Sequence, residues 1–381
     1  MSAVPVEVGW DADAAVAAWH GLPPLAGDVT TDACVVGLGA TGLAAVQALV
    51  DRGLSVIGLD AGRVAAGAAG RNGGFLLGGP APPLHQALAQ WGDCAVDFYR
   101  ETLRELDRVF ELLGPDVVRR VGSIRLAGLP GAPDDAELAD CAEHEAALRA
   151  HGIGVERYAG ELGAGLFLPD DAAVNPAVRA LALALPLTQV AALHERTPVT
   201  SVRAGTVDTP HGTVSAGVVI VAVDGRLEIV LPQLRGRVRT SRLQMLATEP
   251  VRPGRLPCPV YCRWGYDYAQ QLPDGRMFVG GGRDLFVEDE WGTRTQPSAA
   301  VQHYLDGVAA QLAGEPVTVT HRWAASAAFT ADSRALCTEV DPGVVAVGGY
   351  SGHGNLVGPV AARAAVALAL DGTAPPAYFA G

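Results

Sequence analysis

The sequence predicts an α/β domain of Rossmann type, built on a parallel sheet and interleaved with an α+β domain built on an antiparallel sheet. Three observations carry that expectation. An apolar strand reaching Val35 and Val36 runs directly into Gly37, Gly39 and Gly42, spaced G-x-G-x-x-G. Val218 to Val223 is a near-continuous apolar run, as expected of a parallel strand buried on both faces. From Arg237 to Arg283, alternating strands dominate.

The glycine pattern makes physical sense residue by residue. Gly37 permits the tight turn, Gly39 lets backbone approach a phosphate, and Gly42 lets the next helix pack closely on the strand. Leu43, Val46, Leu49 and Val50 then fall at helical spacing, and Arg52-Gly53 supplies a cationic last turn and a stop. A second strand, Leu54 to Leu59, ends at Asp60, roughly twenty residues past the first glycine, where a carboxylate meets ribose hydroxyls. The βαβ unit therefore points to an adenine dinucleotide. By itself it leaves nicotinamide and flavin cofactors both open.

Residues 65 to 79 are too rich in glycine and alanine to pack side chains, yet Arg71 and Asn72 stand among Gly70, Gly73 and Gly74. Backbone laid against a flat ligand is the favoured reading, and a flexible loop the alternative. Further on, a helix is expected over 84–113, a strand over Ser123 to Leu126, a helix over 136–150, and a Gly/Pro-rich section to Pro169. Pro176 to Leu193 is helical in composition, with Pro186 kinking or breaking it. Strands follow at Val199 to Val202, Thr206 to Thr209, Thr213 to Ser215 and Val218 to Val223, and the chain returns to the first sheet. Leu243 to Thr248, Tyr266 to Leu272 and Met277 to Gly280 make the second sheet, before a helix near 298–313. Finally Val344 to Val347 enters a glycine-rich turn, Gly348 to Asn355, ahead of an alanine-rich helix from about Pro359 to Leu370. A glycine-rich loop opening a helix is a second device for stabilising an anion.

Composition narrows the function classes. The chain has 381 residues, is 49% hydrophobic and carries a formal charge of −13, so a large buried core is expected and a nucleic-acid backbone would be repelled. All 28 basic residues are arginine, which excludes every mechanism that needs a lysine amine. Six scattered cysteines form neither a metal-site spacing nor a disulfide framework. Met1 to Gly27 lacks the basic start and apolar core of a signal peptide, and no apolar run reaches spanning length, so a soluble cytoplasmic protein is expected.

Taken in order, six segments give the chain a family likeness. They are Asp32-Ala-Cys-Val-Val-Gly-Leu-Gly-Ala-Thr-Gly-Leu43, Ala69-Gly-Arg-Asn-Gly-Gly74, Glu195-Arg-Thr-Pro-Val199, Ala247-Thr-Glu-Pro250, Asp274-Gly-Arg276 with Phe278-Val-Gly-Gly-Gly282, and Gly349-Tyr-Ser-Gly-His-Gly354. In this order they resemble the D-amino-acid-oxidase-like FAD-dependent oxidoreductases, particularly glycine/sarcosine oxidases and γ-glutamylputrescine oxidoreductases. The likeness implies a glutathione-reductase-type FAD-binding domain over 30–85, 172–230 and 320–381, and a substrate domain over 86–171 and 231–319.

It further implies that the dinucleotide meets Gly37, Gly39, Ala40, Thr41, Gly42, Asp60, Ala61 and the backbone near Val199. The flavin ring would rest on Gly70, Arg71, Asn72, Gly73 and Gly74 and on Gly352, His353, Gly354, Asn355 and Leu356. Candidates for catalysis are His353 as a charge near the ring, Arg71 toward the ring or a substrate carboxylate, Tyr266 as a pocket wall, and Arg283. Trp264 and Tyr268 are further candidate walls. The implied reaction is oxidation of a C–N bond of a small amine or amino acid to an imine by hydride transfer to the flavin, with O2 or another electron acceptor reoxidising it. An NAD-dependent dehydrogenase and a non-catalytic flavin-binding partner are the alternatives.

Three departures qualify the likeness. Leu356 stands where sarcosine-oxidase relatives place a carboxylate-holding lysine, the ring-side lysine has no counterpart, and Trp323 to Asp332 lacks the flavin-attaching cysteine. FAD is therefore expected to be bound non-covalently, and amines without an α-carboxylate to be preferred.

Overall fold

The computed structural model describes residues 6–380. The chain divides into two compact units, one of residues 1–12, 71–175 and 242–325 and the other of 13–70, 176–241 and 326–381. The boundaries expected from sequence lay at 86, 172, 231 and 320. Arg71 to His85 therefore group with the unit that also holds the mostly antiparallel sheet.

In the second unit, β1 (Val29–Val36) leads through the glycine turn into α1 (Ala40–Val50) and β2 (Val56–Leu59). Then come α2 (Pro176–Leu187), β3 (Gly212–Val221), β4 (Val344–Gly348) and α3 (Gly354–Asp371). β1 pairs in parallel with β2 on one side and β3 on the other, and β3 pairs in parallel with β4. Strands Thr206–Thr209 and Ser201–Arg203 extend the β3 side antiparallel, and Ala192–His194 caps the β2 edge. Cys34, Val36, Leu59, Val219, Val221 and Ala346 line one core cluster against this sheet, each nearly water-free. α3 packs along α1, an approach that needs Gly358: a Cβ there would lie 2.3 Å from Thr41 Oγ1.

In the first unit an eight-stranded sheet runs in the order 319–329, 239–250, 276–280, 267–271, 260–262, 123–126, 163–168, 156–160. Ser123–Leu126 and Val260–Cys262 pair in parallel. Helix Ala299–Ala313 buries Val301, Leu305, Val308 and Leu312 in the same cluster as Leu246, Val260 and Val279.

Several local expectations are corrected. The helix expected over 84–113 is two, Leu84–Trp91 and Cys94–Leu113, parted at Gly92, whose φ of +69° suits glycine. The section read as Gly/Pro-rich to Pro169 contains the hairpin Glu156–Gly160 and Gly163–Leu168. Its first strand is largely exposed, so it lacks the apolar alternation that marks a half-buried strand. Helix α2 stops at Leu187, one residue past Pro186, rather than reaching Leu193. The segments Thr213 to Ser215 and Val218 to Val223 are one strand that ends at Val221, and α3 begins at Gly354 and continues through Pro359.

Candidate functional site

Ligands of open α/β sheets bind beyond the carboxyl ends of the strands, and in the second unit those ends gather the predicted dinucleotide residues. Val36 ends β1; Gly37 donates its N–H to Leu59 O at 2.7 Å, and its φ of +95° turns the chain into α1. Gly42 has no room for a side chain, since a Cβ would fall 1.7 Å from Gly37 O. Gly39 differs in kind. Its φ of −78° is open to any residue, and a Cβ there would meet only Ala69 Cβ at 3.2 Å. That contact is tight, but it is with one methyl group rather than with backbone, so the crowding is far milder than at Gly42.

Asp60 closes β2. Its Oδ2 accepts from Leu38 N and its Oδ1 from Gly62 N, both at 2.8 Å, so the carboxylate braces the glycine turn. Burial raises its pKa, and the two amide donors draw it back. Beside it, fully buried Glu195 accepts from Trp19 Nε1 and Val64 N at 2.8 Å and from Leu22 N at 3.0 Å, fastening the N-terminal segment of this unit. Thr197 N donates to Asp60 O at 2.8 Å, and Ala61 follows in the same turn. Val199 packs partly buried against the sheet core.

The second glycine turn lies at the end of β4, which β3 separates from β1. Gly349, Ser351 and Gly352 all have left-handed φ, +71°, +52° and +92°, which bends the chain sharply into α3. Asp224, at the end of β3, accepts from Gly349 N at 2.8 Å, from Tyr350 N at 3.4 Å and from Ala328 N at 3.2 Å. Burial pushes its carboxyl up to about 6 against those three donors. Tyr350 Oη accepts from Thr41 Oγ1 at 2.9 Å, so the two glycine turns from opposite ends of the sequence are joined by a side-chain bond. Leu356 is buried at 1% exposure.

Burial disfavours the charge expected of His353. Burial lowers its pKa to about 4, so the imidazole is neutral at physiological pH, and its Nδ1 is buried with no hydrogen-bond partner among the described residues. A neutral ring with an unsatisfied nitrogen suits contact with a polar ligand edge rather than stabilisation of an anion. The positive end of the α3 backbone lies at Gly354 and Asn355, in the same turn.

In the first unit, Arg71 to Gly74 are held from several sides. Trp10 Nε1 donates to Asn72 O and Trp323 Nε1 to Arg71 O, each at 2.9 Å. Gln270 Nε2 donates to Gly73 O at 2.5 Å, and Asn72 Oδ1 accepts from Gly74 N at 2.7 Å. Tyr268 lies so close that a Cβ on Gly73 would stand 3.0 Å from its ring. The Arg71 guanidinium forms a bidentate pair with Asp11. Tyr266 and Trp264 are exposed, and Arg283 sits over the rings of Tyr266 and Trp291 at 5.9 and 5.5 Å. Burial lowers the Arg283 pKa. Sequence reasoning missed Asp11, Arg179 and Asp224. Only the charge of each was visible, and its role depends on a partner far along the chain.

A model of the FAD dependent oxidoreductase family matches residues 32–368. The chain belongs to that family. Its resident group is FAD, and the glycine cradle, Asp60 and the unsatisfied His353 nitrogen fit such a ligand. Among relatives of this FAD-dependent oxidoreductase is γ-glutamylputrescine oxidoreductase from Escherichia coli, 27% identical, the match covering 86% of this chain and 80% of that protein. Glycine oxidase from Geobacillus kaustophilus shares the fold at a TM-score of 0.71 and 21% identity, covering 89% and 94% of the two chains. L-proline dehydrogenase from P. horikoshii does so at 0.74 and 18%, covering 94% and 97%. No described helix is long and apolar enough to cross a membrane.

Proposed function

We propose that this flavoenzyme oxidises the C–N bond of a small amine lacking an α-carboxylate, giving an imine that water hydrolyses, with O2 as acceptor. When bound, FAD supplies the two-electron acceptor. The chain's own residues do the rest: amides at the start of α1 meet the pyrophosphate, Asp60 the ribose hydroxyls, and the first turn of α3 favours negative charge on the ring. No lysine is needed or present.

The observation that carries the substrate reading is the Arg71–Asp11 pair, whose guanidinium already faces a carboxylate at 2.8 Å. Leu356, buried and apolar, supports the same conclusion. The Escherichia coli relative is named for γ-glutamylputrescine, a derivative of a diamine, and a net charge of −13 attracts cationic amines at long range. Six free cysteines accord with a cytoplasmic setting.

The test is an anaerobic titration of the yellow protein with simple amines and with matched α-amino acids. Bleaching of the visible flavin band by amines at lower concentrations is the expected result. Acid precipitation should leave FAD in the supernatant, because Trp323 to Asp332 holds no cysteine. Bleaching by amino acids alone would overturn the substrate assignment.

A further inference from the structure

Helix α3 contains a chemical gap in its first turn. In an α-helix the carbonyl of one residue accepts from the amide N–H four residues on, and for Asn355 that residue is Pro359, which has no N–H. Arg179, from α2 of the same unit, stands at this gap. Its Nη2 donates to Asn355 O at 2.7 Å and its Nη1 to Asn355 Oδ1 at 3.1 Å. The side chain is almost completely buried, at 2% exposure.

The placement of this arginine is costly on its own terms. A buried cation is unfavourable unless hydrogen-bonded, and Arg179 lies in the first turn of α2, where the helix dipole already presents positive charge. Two oxygens of one residue, one main-chain and one side-chain, match the planar fork of a guanidinium, whose two terminal nitrogens each donate to one of them.

We propose that Arg179 is a positioning residue for the flavin. It supplies the donor that Pro359 withholds, and so fixes Asn355 and the first turn of α3 in the orientation that receives the ring. This rests on the assignment of that turn to flavin binding made above. The proline and the arginine form one device: Pro359 has no N–H to offer the carbonyl, and Arg179 ties that carbonyl to a neighbouring helix.

The test is a double-mutant cycle of Arg179→Met and Pro359→Ala, read by FAD dissociation constant and by amide exchange at residues 354–358 of the apoprotein. Arg179→Met should weaken FAD binding at least tenfold and speed exchange in that turn at least tenfold. Pro359→Ala, which restores an N–H opposite Asn355 O, should change both less than threefold alone and recover most of each loss in the Arg179→Met background. Arg179→Lys, with one donor group for two oxygens, should fall between. If Arg179→Met fails to fold, the Lys variant with and without Pro359→Ala carries the same comparison.

Wild-type affinity and exchange in Arg179→Met, or a loss that Pro359→Ala leaves unrecovered in a variant that melts like wild type, would overturn the proposal. A wild-type protein that takes up no FAD would instead overturn the functional assignment beneath it. The exchange readout, made without FAD, distinguishes the two.

Discussion

Asp11 holds the guanidinium of Arg71 through two hydrogen bonds of 2.8 and 3.0 Å, and Arg71 is the more buried of the pair. A charge already met by a carboxylate has little attraction left for a second one. Asp11→Asn should therefore shift the ratio of kcat/KM for α-amino acids over matched amines toward the amino acids by about tenfold, about 1.4 kcal/mol in transition-state stabilisation. Steady-state kinetics on the two substrate series checks this. An unchanged ratio would mean that Arg71 does not face the substrate.

The three glycines of the first turn make separable demands. Gly39→Val places a side chain whose Cβ the protein meets only at Ala69 Cβ, 3.2 Å away, but which a pyrophosphate excludes, so the apoprotein should fold with a Tm lowered less than in Gly42→Ala and fail to retain FAD. Gly42→Ala drives a methyl into Gly37 O and should lower the stability of the apoprotein itself, by about 3 kcal/mol. Thermal melts beside flavin fluorescence separate these outcomes. A Gly39→Val protein that stays yellow would remove the pyrophosphate from this turn.

With its pKa lowered to about 4, His353 is uncharged throughout the range in which flavoenzymes are assayed. Reoxidation by O2 should accordingly show no step near pH 6.5 that a His353→Gln variant loses. Stopped-flow reoxidation from about pH 5.5 to 8, on either side of the ordinary imidazole pKa, in both proteins is the measurement. A wild-type step absent from the variant would restore a charged role.

Part of the acid sensitivity should come from His144. It is 6% exposed, its Nδ1 lies 3.2 Å from Arg125 Nη1, and burial followed by the Arg125 charge lowers its pKa to about 3. The unfolded chain takes up this proton near pH 6.5 and the fold refuses it until about 3. Stability is therefore complete above 6.5 and falls as pH drops through that window. At pH 5 the loss from this one group is about 2 kcal/mol. Urea midpoints at pH 7 and pH 5 should differ less in His144→Asn than in wild type, and an equal difference would assign the sensitivity elsewhere.

What could be read from the sequence was local, and what could not was relational. The turn at Gly37 to Gly42 and the buried run at Val218 to Val221 declare themselves, because backbone geometry and continuous apolarity are properties of adjacent residues. Asp60 followed from spacing alone. The hairpin at 156–168 escaped because its exposed strand has no apolar face, and the break at Gly92 because one glycine in a helical pattern is usually tolerated. His353 was read as a charge, and the burial that lowers its pKa is something no neighbouring residue announces. Asp224, Arg179 and Asp11 meet Gly349, Asn355 and Arg71, partners that the fold supplies.

Trp10 stacks on Phe278 at 3.6 Å between ring centroids, within the unit assembled from residues 1–12, 71–175 and 242–325. A ribosome delivers these pieces in that order with the other unit's segments between them. The earliest aromatic anchor must wait, solvent-exposed, until most of the chain has been made. Its contacts are among the least local in the molecule, which is the kind of closure that slows folding and leaves apolar surface open to aggregation. Neither unit corresponds to a continuous stretch of gene. Truncations and fragment expression should accordingly yield insoluble protein, while a short N-terminal fusion ahead of Gly9 threatens the final docking of Trp10 more than the binding turn at Gly37.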